Sequence, residues 1–389
     1  MYSPGVVGLG HLRRQLLIAQ TLVKSSPDLA ILLIAETRQA GAFSIAPGLD
    51  CLILPALRKN GDGRFAPRYL GVSIKDLMAL RARTIHAALE AFAPEVFIGD
   101  KLPRGALCEL DSALNFLRDR GTRYVLGLRD ILDEPDAVTR DWDRTGDVQI
   151  MRDFVDAIWV YGDPAVYDPV REYRLRADLA ARARYVGYLN QRRRLEFADA
   201  AHDPFAALQL PPGRLALCLL GGGQDGALLA EAFAAVPLPA DTNGVIVTGP
   251  FMDEAVKHRL RRVAAGAPRL RILEFVHEPA VLVERADRIV AMAGYNTMCE
   301  ILSFEKPALL VPRVHPRREQ WMRAQRLQAM GLVDVLQPDQ LTPAAIGRWL
   351  DRDLPRPRPA REVIDFRGLD RLPRLLHEVM AVGAHGQFA

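Results

Sequence analysis

Short apolar runs alternate along the chain with segments in which apolar residues recur every three or four positions. In the front half the runs at 31–35, 51–54, 96–98, 124–128, 157–161 and 185–187 read as buried strands. In the back half the corresponding runs are 215–220, 244–248, 270–275, 289–293 and 308–311. Nearly continuous apolar strands of this length, separated by amphipathic stretches such as 77–92 and 109–120, predict parallel sheets covered by helices on both faces. The expected fold class is α/β with two Rossmann-like domains. Their expected bounds are 1–190 and 213–355, joined by a linker at 191–212 and followed by a helical tail at 356–389.

Several stretches qualify this pattern. The first glycine turn, Gly8-Leu9-Gly10-His11, comes early, and only residues 5–7 lie between Pro4 and that turn. The first strand is therefore either very short or lies upstream. Residues 58–70 read as a polar, basic loop carrying Phe65 and Tyr69. The linker contains Arg192, Arg193 and Arg194 beside Pro204, Pro211 and Pro212, and the arginines read as a solvated face. A terminal helix is expected at 372–382, with Pro373 in its first turn.

Residues 285–320 hold the densest chemistry. An apolar strand ends at Gly294, Asn296 and Thr297 offer helix N-cap oxygens, and Glu300 is expected, exposed, in the first turn of the helix that follows. A helix that starts at the carboxyl end of a parallel strand favours an anion, usually phosphate. Glu300 either accepts hydrogen bonds from ribose hydroxyls or is a solvated glutamate. A second loop, Gly221-Gly222-Gly223-Gln224-Asp225-Gly226, follows the strand at 215–220 and has the same phosphate-cradling character. It lacks the Gly-Lys-Ser/Thr of a Walker loop and the downstream ribose carboxylate of a dinucleotide fingerprint.

The glycine loop with Gln224, then EFVHEP at 274–279, AGYNTMCE at 293–300 and REQ at 318–320 occur in an order and spacing that resembles the donor half of GT-B glycosyltransferases. The likeness is greatest to the bacterial lipid-linked N-acetylglucosaminyltransferase family of peptidoglycan synthesis. It covers 215–335 well and the front half thinly. The resemblance implies two Rossmann-like domains facing across a cleft, with a C-terminal helix crossing back to the first. It implies an inverting, metal-independent transfer from a nucleotide-sugar, best guessed as UDP-linked, to a hydroxyl acceptor that is lipid-linked or a small molecule. Donor contacts would come from Gly221, Gly222, Gly223, Gln224, Phe275, Val276, Gly294, Tyr295, Asn296, Thr297, Glu300, Glu319 and Gln320. His11 would be the catalytic base, kept neutral by its helix N-terminus. Asp100 and Asp130 are the other catalytic candidates, each equally readable as a helix cap. Gly10, Arg129 and Asp133 fall on the acceptor side, Asp133 reading more readily as a cap. A GLGHLRR start also resembles nucleotide-sugar hydrolases, so a hydrolase or epimerase of the same fold is the alternative, and a non-catalytic nucleotide-sugar-binding module is the second.

Composition narrows the setting. The chain has 389 residues, a net charge of +4 and pI near 8.9. That balance suits anionic ligands but is too weak and diffuse to predict nucleic-acid binding. No apolar run approaches a membrane span, and the start lacks signal-peptide character. The expectation is a cytoplasmic protein with at most peripheral contact at the inner face of the membrane. Cys51, Cys108, Cys218 and Cys299 are too scattered for a zinc site and read as buried free thiols. No metal and no cofactor beyond the nucleotide-sugar co-substrate is expected.

Overall fold

The computed structural model describes residues 1–4, 9–36, 43, 45–59, 64–198, 203–353 and 358–384. The chain divides into two units, Met1–Leu189 with Asp365–Ala389, and Asn190–Ile364. The strands of the first are β1 (Tyr2–Ser3), β2 (Ile31–Ala35), β3 (Leu49–Ile53), β4 (Leu57–Lys59), β5 (Phe65–Pro67), β6 (Val96–Asp100), β7 (Arg123–Arg129), β8 (Ala157–Tyr161) and β9 (Ala183–Tyr185). Its helices are α1 (Gly10–Ser25), α2 (Ile74–Phe92), α3 (Asp111–Asp119), α4 (Pro135–Thr145), α5 (Asp147–Phe154), α6 (Pro169–Glu172), α7 (Ala177–Ala180) and, from the chain's end, α14 (Gly368–Ala384). The second unit contains β10 (Arg214–Leu219), β11 (Thr242–Val247), β12 (Leu270–Leu273), β13 (Arg288–Ala291), β14 (Ala308–Leu310) and β15 (Asp334–Val335). Its helices are α8 (Ala227–Ala234), α9 (Glu254–Ala265), α10 (Ala280–Arg285), α11 (Tyr295–Ser303), α12 (Glu319–Ala329) and α13 (Pro343–Asp351).

The first sheet runs β3-β2-β1-β6-β7-β8-β9 and the second β12-β11-β10-β13-β14-β15, both parallel throughout. Each is a doubly wound order, built outward in one direction and then in the other. The reversals fall between β1 and β6 and between β10 and β13, where such sheets open a crevice at the carboxyl ends of their strands. The first core joins Leu12, Leu16, Ala19 and Val23 of α1 to Leu33, Ala35 and Leu49 of the sheet. Helix α14 packs against α1, so the C-terminal helix returns to the first unit as expected. The second core gathers Leu229, Phe233, Val256, Leu260, Ile246 and Trp349.

The departures from expectation have local causes. The first strand is Tyr2–Ser3, ahead of Pro4; it pairs Tyr2 with Ile34 and Gly99, and those neighbours define it as a strand. Residues 5–8, including Gly8, lie outside the described residues. The supposed basic loop contains the antiparallel pair β4–β5. Arg194 is not solvated: it is 3% exposed and donates through Nε to Gln191 Oε1 at 2.5 Å. Arg192 donates to the Ser303 carbonyl at 2.8 Å and stacks over Phe304. Helix α14 begins at Gly368, so Pro373 falls inside it, beyond the first turn. All four cysteines are free, but Cys108 is exposed and Cys51 half-buried.

A buried charge cluster ties β1, α2 and the segment before α3. Arg81 donates to both oxygens of Glu109, at 2.6 and 2.7 Å, and to the Pro55 carbonyl. The Tyr2 hydroxyl also donates to Glu109 and accepts from the Ala106 amide. Glu36, just past β2, faces Arg81 at 3.2 Å, and burial, opposed by Arg81, pushes its pKa up to about 7. Removing the cation strands a buried carboxylate. Arg81→Met should therefore destabilise the protein by about 3–5 kcal/mol in urea unfolding, and a loss below about 1 kcal/mol would refute the bracing role.

Candidate active site

In the first unit the strand-order reversal brings His11 and Asp100 together. Leu9 and Gly10 lead into α1, whose N-terminus carries no side-chain cap and no acidic residue. His11 sits in its first turn. Asp100 is the last residue of β6, the strand beside β1, and is fully buried. His11 Nδ1 lies 2.9 Å from Asp100 Oδ2. Arg14 Nη2 lies 2.7 Å from each Asp100 oxygen and 3.1 Å from His11 Nδ1. A carboxylate accepts only, so the network assigns the proton to Nδ1 and leaves Nε2 as an acceptor. Burial lowers the His11 pKa to about 4, with Asp100 opposing and Arg14 and Arg129 adding to the fall. The ring is 17% exposed, which softens the desolvation without changing its sign. Burial would raise the Asp100 pKa, but Arg14 and His11 outweigh it and hold the carboxyl below the usual range.

The other first-unit candidates have structural partners. Asp130 is fully buried, accepting from the Tyr188 hydroxyl at 2.8 Å and the Ile131 amide at 2.6 Å. Asp133 is 7% exposed and accepts from the Glu134 amide at 3.0 Å. Arg129 ends β7 and is half-buried.

In the second unit the loops flanking the reversal are the glycine loop after β10 and the turn after β13. Gly223, at φ +90°, packs so closely that an added Cβ would stand 2.1 Å from the Thr248 carbonyl. Gly294 instead has nothing within 4 Å of that position. Gly221 and Gln224 are exposed and Gly222 half-buried. Helices α8 and α11 begin beside the reversal without side-chain caps. Helix α9, which follows β11, is capped by Asp253, which accepts from Ala255 and Val256 amides. The expectation for α11 is corrected here: Gly294 is its N-cap residue, and Asn296 and Thr297 lie within the first turn after Tyr295. The start of α11 thus stands at the carboxyl edge of the sheet with no side-chain cap from its N-cap residue. The same shift moves Glu300 into the second turn, where it is 3% exposed rather than open to solvent. Val276 is buried and Phe275 half-buried, its ring 5.2 Å from that of His277.

Three arginines of these sites escape a motif reading. Arg14 is one helical turn from His11, a spacing that signals a shared face. Arg313 bridges the glycine loop to α12, donating to Asp225 at 2.6 Å and Glu319 at 2.5 Å. Its amide donates to Gln320 Oε1 at 3.1 Å, so the side chains expected at the donor sugar are turned towards Arg313. Arg323 is fully buried and donates to the Ala293 carbonyl at 2.9 Å, bracing the β13–α11 turn.

Residues 216–362 match a glycosyltransferase domain. The matching family is described as the Glycosyltransferase family 28 C-terminal domain. Solved structures similar over nearly the whole chain include Medicago truncatula UGT71G1 complexed with UDP-glucose, 13% identical with a TM-score of 0.62 and 97% of each chain covered. A putative UDP-N-acetylglucosamine 2-epimerase from Listeria monocytogenes is 13% identical with a TM-score of 0.62, covering 97% of this chain and 95% of that one. MurG of Acinetobacter baumannii is 15% identical with a TM-score of 0.51, covering 97% and 96%. The two Rossmann-like domains thus have the GT-B fold of glycosyltransferases, and the expected class, a glycosyltransferase, agrees with the domain match.

The two glycines of the glycosyltransferase domain make opposite predictions. Gly223→Ala combines a left-handed φ with a backbone collision and should cost more than about 2 kcal/mol in urea unfolding. Gly294→Ala, in extended backbone beside open space, should stay within about 0.5 kcal/mol of wild type. Equal losses would mean that the open space beside Gly294 is misassigned.

Proposed function

We propose that the protein transfers a sugar from a UDP-sugar to a hydroxyl acceptor with inversion at the anomeric carbon and without a metal. The observation that carries this reading is that His11 with Asp100 in one domain, and the glycine loop with the Gly294 turn in the other, fall where the strand order reverses. In the second domain the diphosphate lies against the N-terminal starts of α8 and α11, with Gly221, Gly222 and Gly294 allowing close approach. Phe275 and Val276 take the base, and Gln224 reaches the phosphates. UDP is chosen because two of the similar structures are described with UDP-sugars in their names. Among the described residues no three His, Cys, Asp or Glu side chains gather as metal ligands, so backbone amides carry the leaving group's charge in this reading.

In the first domain His11 Nε2 takes the acceptor's proton, and Asp100 orients the ring through Nδ1. The acceptor oxygen bonds to the anomeric carbon as the bond to the diphosphate oxygen breaks on the opposite side, so the configuration inverts and UDP leaves. His11→Ala should lower turnover by about 100- to 10,000-fold while donor affinity by calorimetry stays within a few-fold. Gly294→Ala should do the reverse, weakening donor binding in a stable protein. Near-normal turnover in His11→Ala would remove the base assignment.

The epimerase similarity keeps a second reading in view. The two separate in one assay: a transferase consumes UDP-sugar only with an acceptor, and the product's anomeric configuration by NMR is opposite to the donor's. Consumption without an acceptor, or retention, overturns the proposal. Turnover should be unchanged by EDTA; loss restored by magnesium would place a metal at the leaving group.

A further inference from the structure

We infer that Arg14 is a positioning residue that balances the charge of Asp100, so that the carboxylate orients the His11 ring without drawing a proton onto Nε2. The inference rests on the reading of His11 as the base, but its argument is geometric. A lone aspartate beside a histidine favours the imidazolium, because the carboxylate's charge is unopposed. Here it is opposed. Arg14 is 2% exposed, and its Nη2 lies 2.7 Å from each oxygen of the fully buried Asp100. The buried pair is charge-balanced before His11 takes a proton. Protonation would place a second cation 3.1 Å from Arg14 Nη2, with no second carboxylate among the groups described around it.

The charged groups acting on His11 are Asp100 from β6, Arg14 from its own helix and Arg129 from β7. Burial acts most strongly against the imidazolium, and both arginines and the positive end of α1 add to it. On β8, Tyr161 presents its ring to the Arg14 guanidinium at 5.9 Å, and burial raises its pKa, so it adds no negative charge. Asp100 therefore fixes the Nδ1 proton, while its attraction for the imidazolium is outweighed by burial and the two arginines. The consequence is a base that is weak but always available: Nε2 stays unprotonated where an ordinary histidine is charged.

The test is an NMR pH titration of the His11 imidazole in the full chain, assigned by the resonances lost in His11→Gln. Wild type should titrate below about pH 5. Arg14→Gln keeps a hydrogen-bond donor but removes the charge, and should raise the midpoint by about one pH unit or more. Arg14→Lys keeps the charge and should stay near wild type. In the enzyme assay the acidic limb of kcat/KM should move up by the same amount in Arg14→Gln, with donor KM unchanged. Equal midpoints in wild type and Arg14→Gln overturn the inference. So does a wild-type midpoint near that of free histidine, a result that needs no variant to fold. The titration needs no substrate: a low midpoint in a protein without transferase activity would refute the proposed function alone, and a normal midpoint in an active transferase would refute this inference alone.

Discussion

Parallel strand pairing is the constraint on which the rest depends. In a parallel sheet every strand enters from the same edge, so all the turns into the following helices collect at the other edge. When the strand order reverses, helices on either side leave to opposite faces and the two turns at the reversal are left uncovered. Both sheets of this chain reverse once, between β1 and β6 and between β10 and β13. The groups with chemical potential sit at those points, although they come from residues as distant in sequence as His11 and Asp100.

The helix N-terminus does different work in each unit. In the first it meets an imidazole, and its positive end favours the neutral ring. In the second it meets glycines, and the N-cap residues of α8 and α11 make no side-chain cap, a setting that favours an anion. The capped start of α9 marks the contrast, since Asp253 already satisfies the donors there.

Arginine supplies the internal bracing. Arg14, Arg81 and Arg323 are almost wholly buried, and each meets a carboxylate or a carbonyl. Arg313 is partly exposed yet links the glycine loop to α12 through two carboxylates. A planar guanidinium with several fixed donors suits such roles, whereas a lysine would satisfy fewer acceptors at once. The braces on Asp100 and Glu109 are also liabilities, because a buried carboxylate left without its cation costs far more than a lost surface pair.

The sequence by itself determined the α/β class, the parallel sheets, most strands and the two glycine-centred turns. Those features are written in local periodicity: a continuous apolar run such as Ala157–Tyr161 is buried on both faces. It also placed His11 and Asp100 at strand ends. Only the tertiary structure decided that they touch, that Arg14 joins them, and that Arg194 is buried. The two-residue β1 has no periodicity to read, and it exists because Ile34 and Gly99 flank it. Glu300 reads as a first-turn residue when Asn296 or Thr297 is taken as the cap of α11, whereas Gly294 is its N-cap residue, and the burial of Glu300 is set by what packs around the second turn. Local sequence fixes which residues can form an element. Which partner each polar group meets is settled by non-local packing, where desolvation makes every buried charge depend on residues far away in the chain.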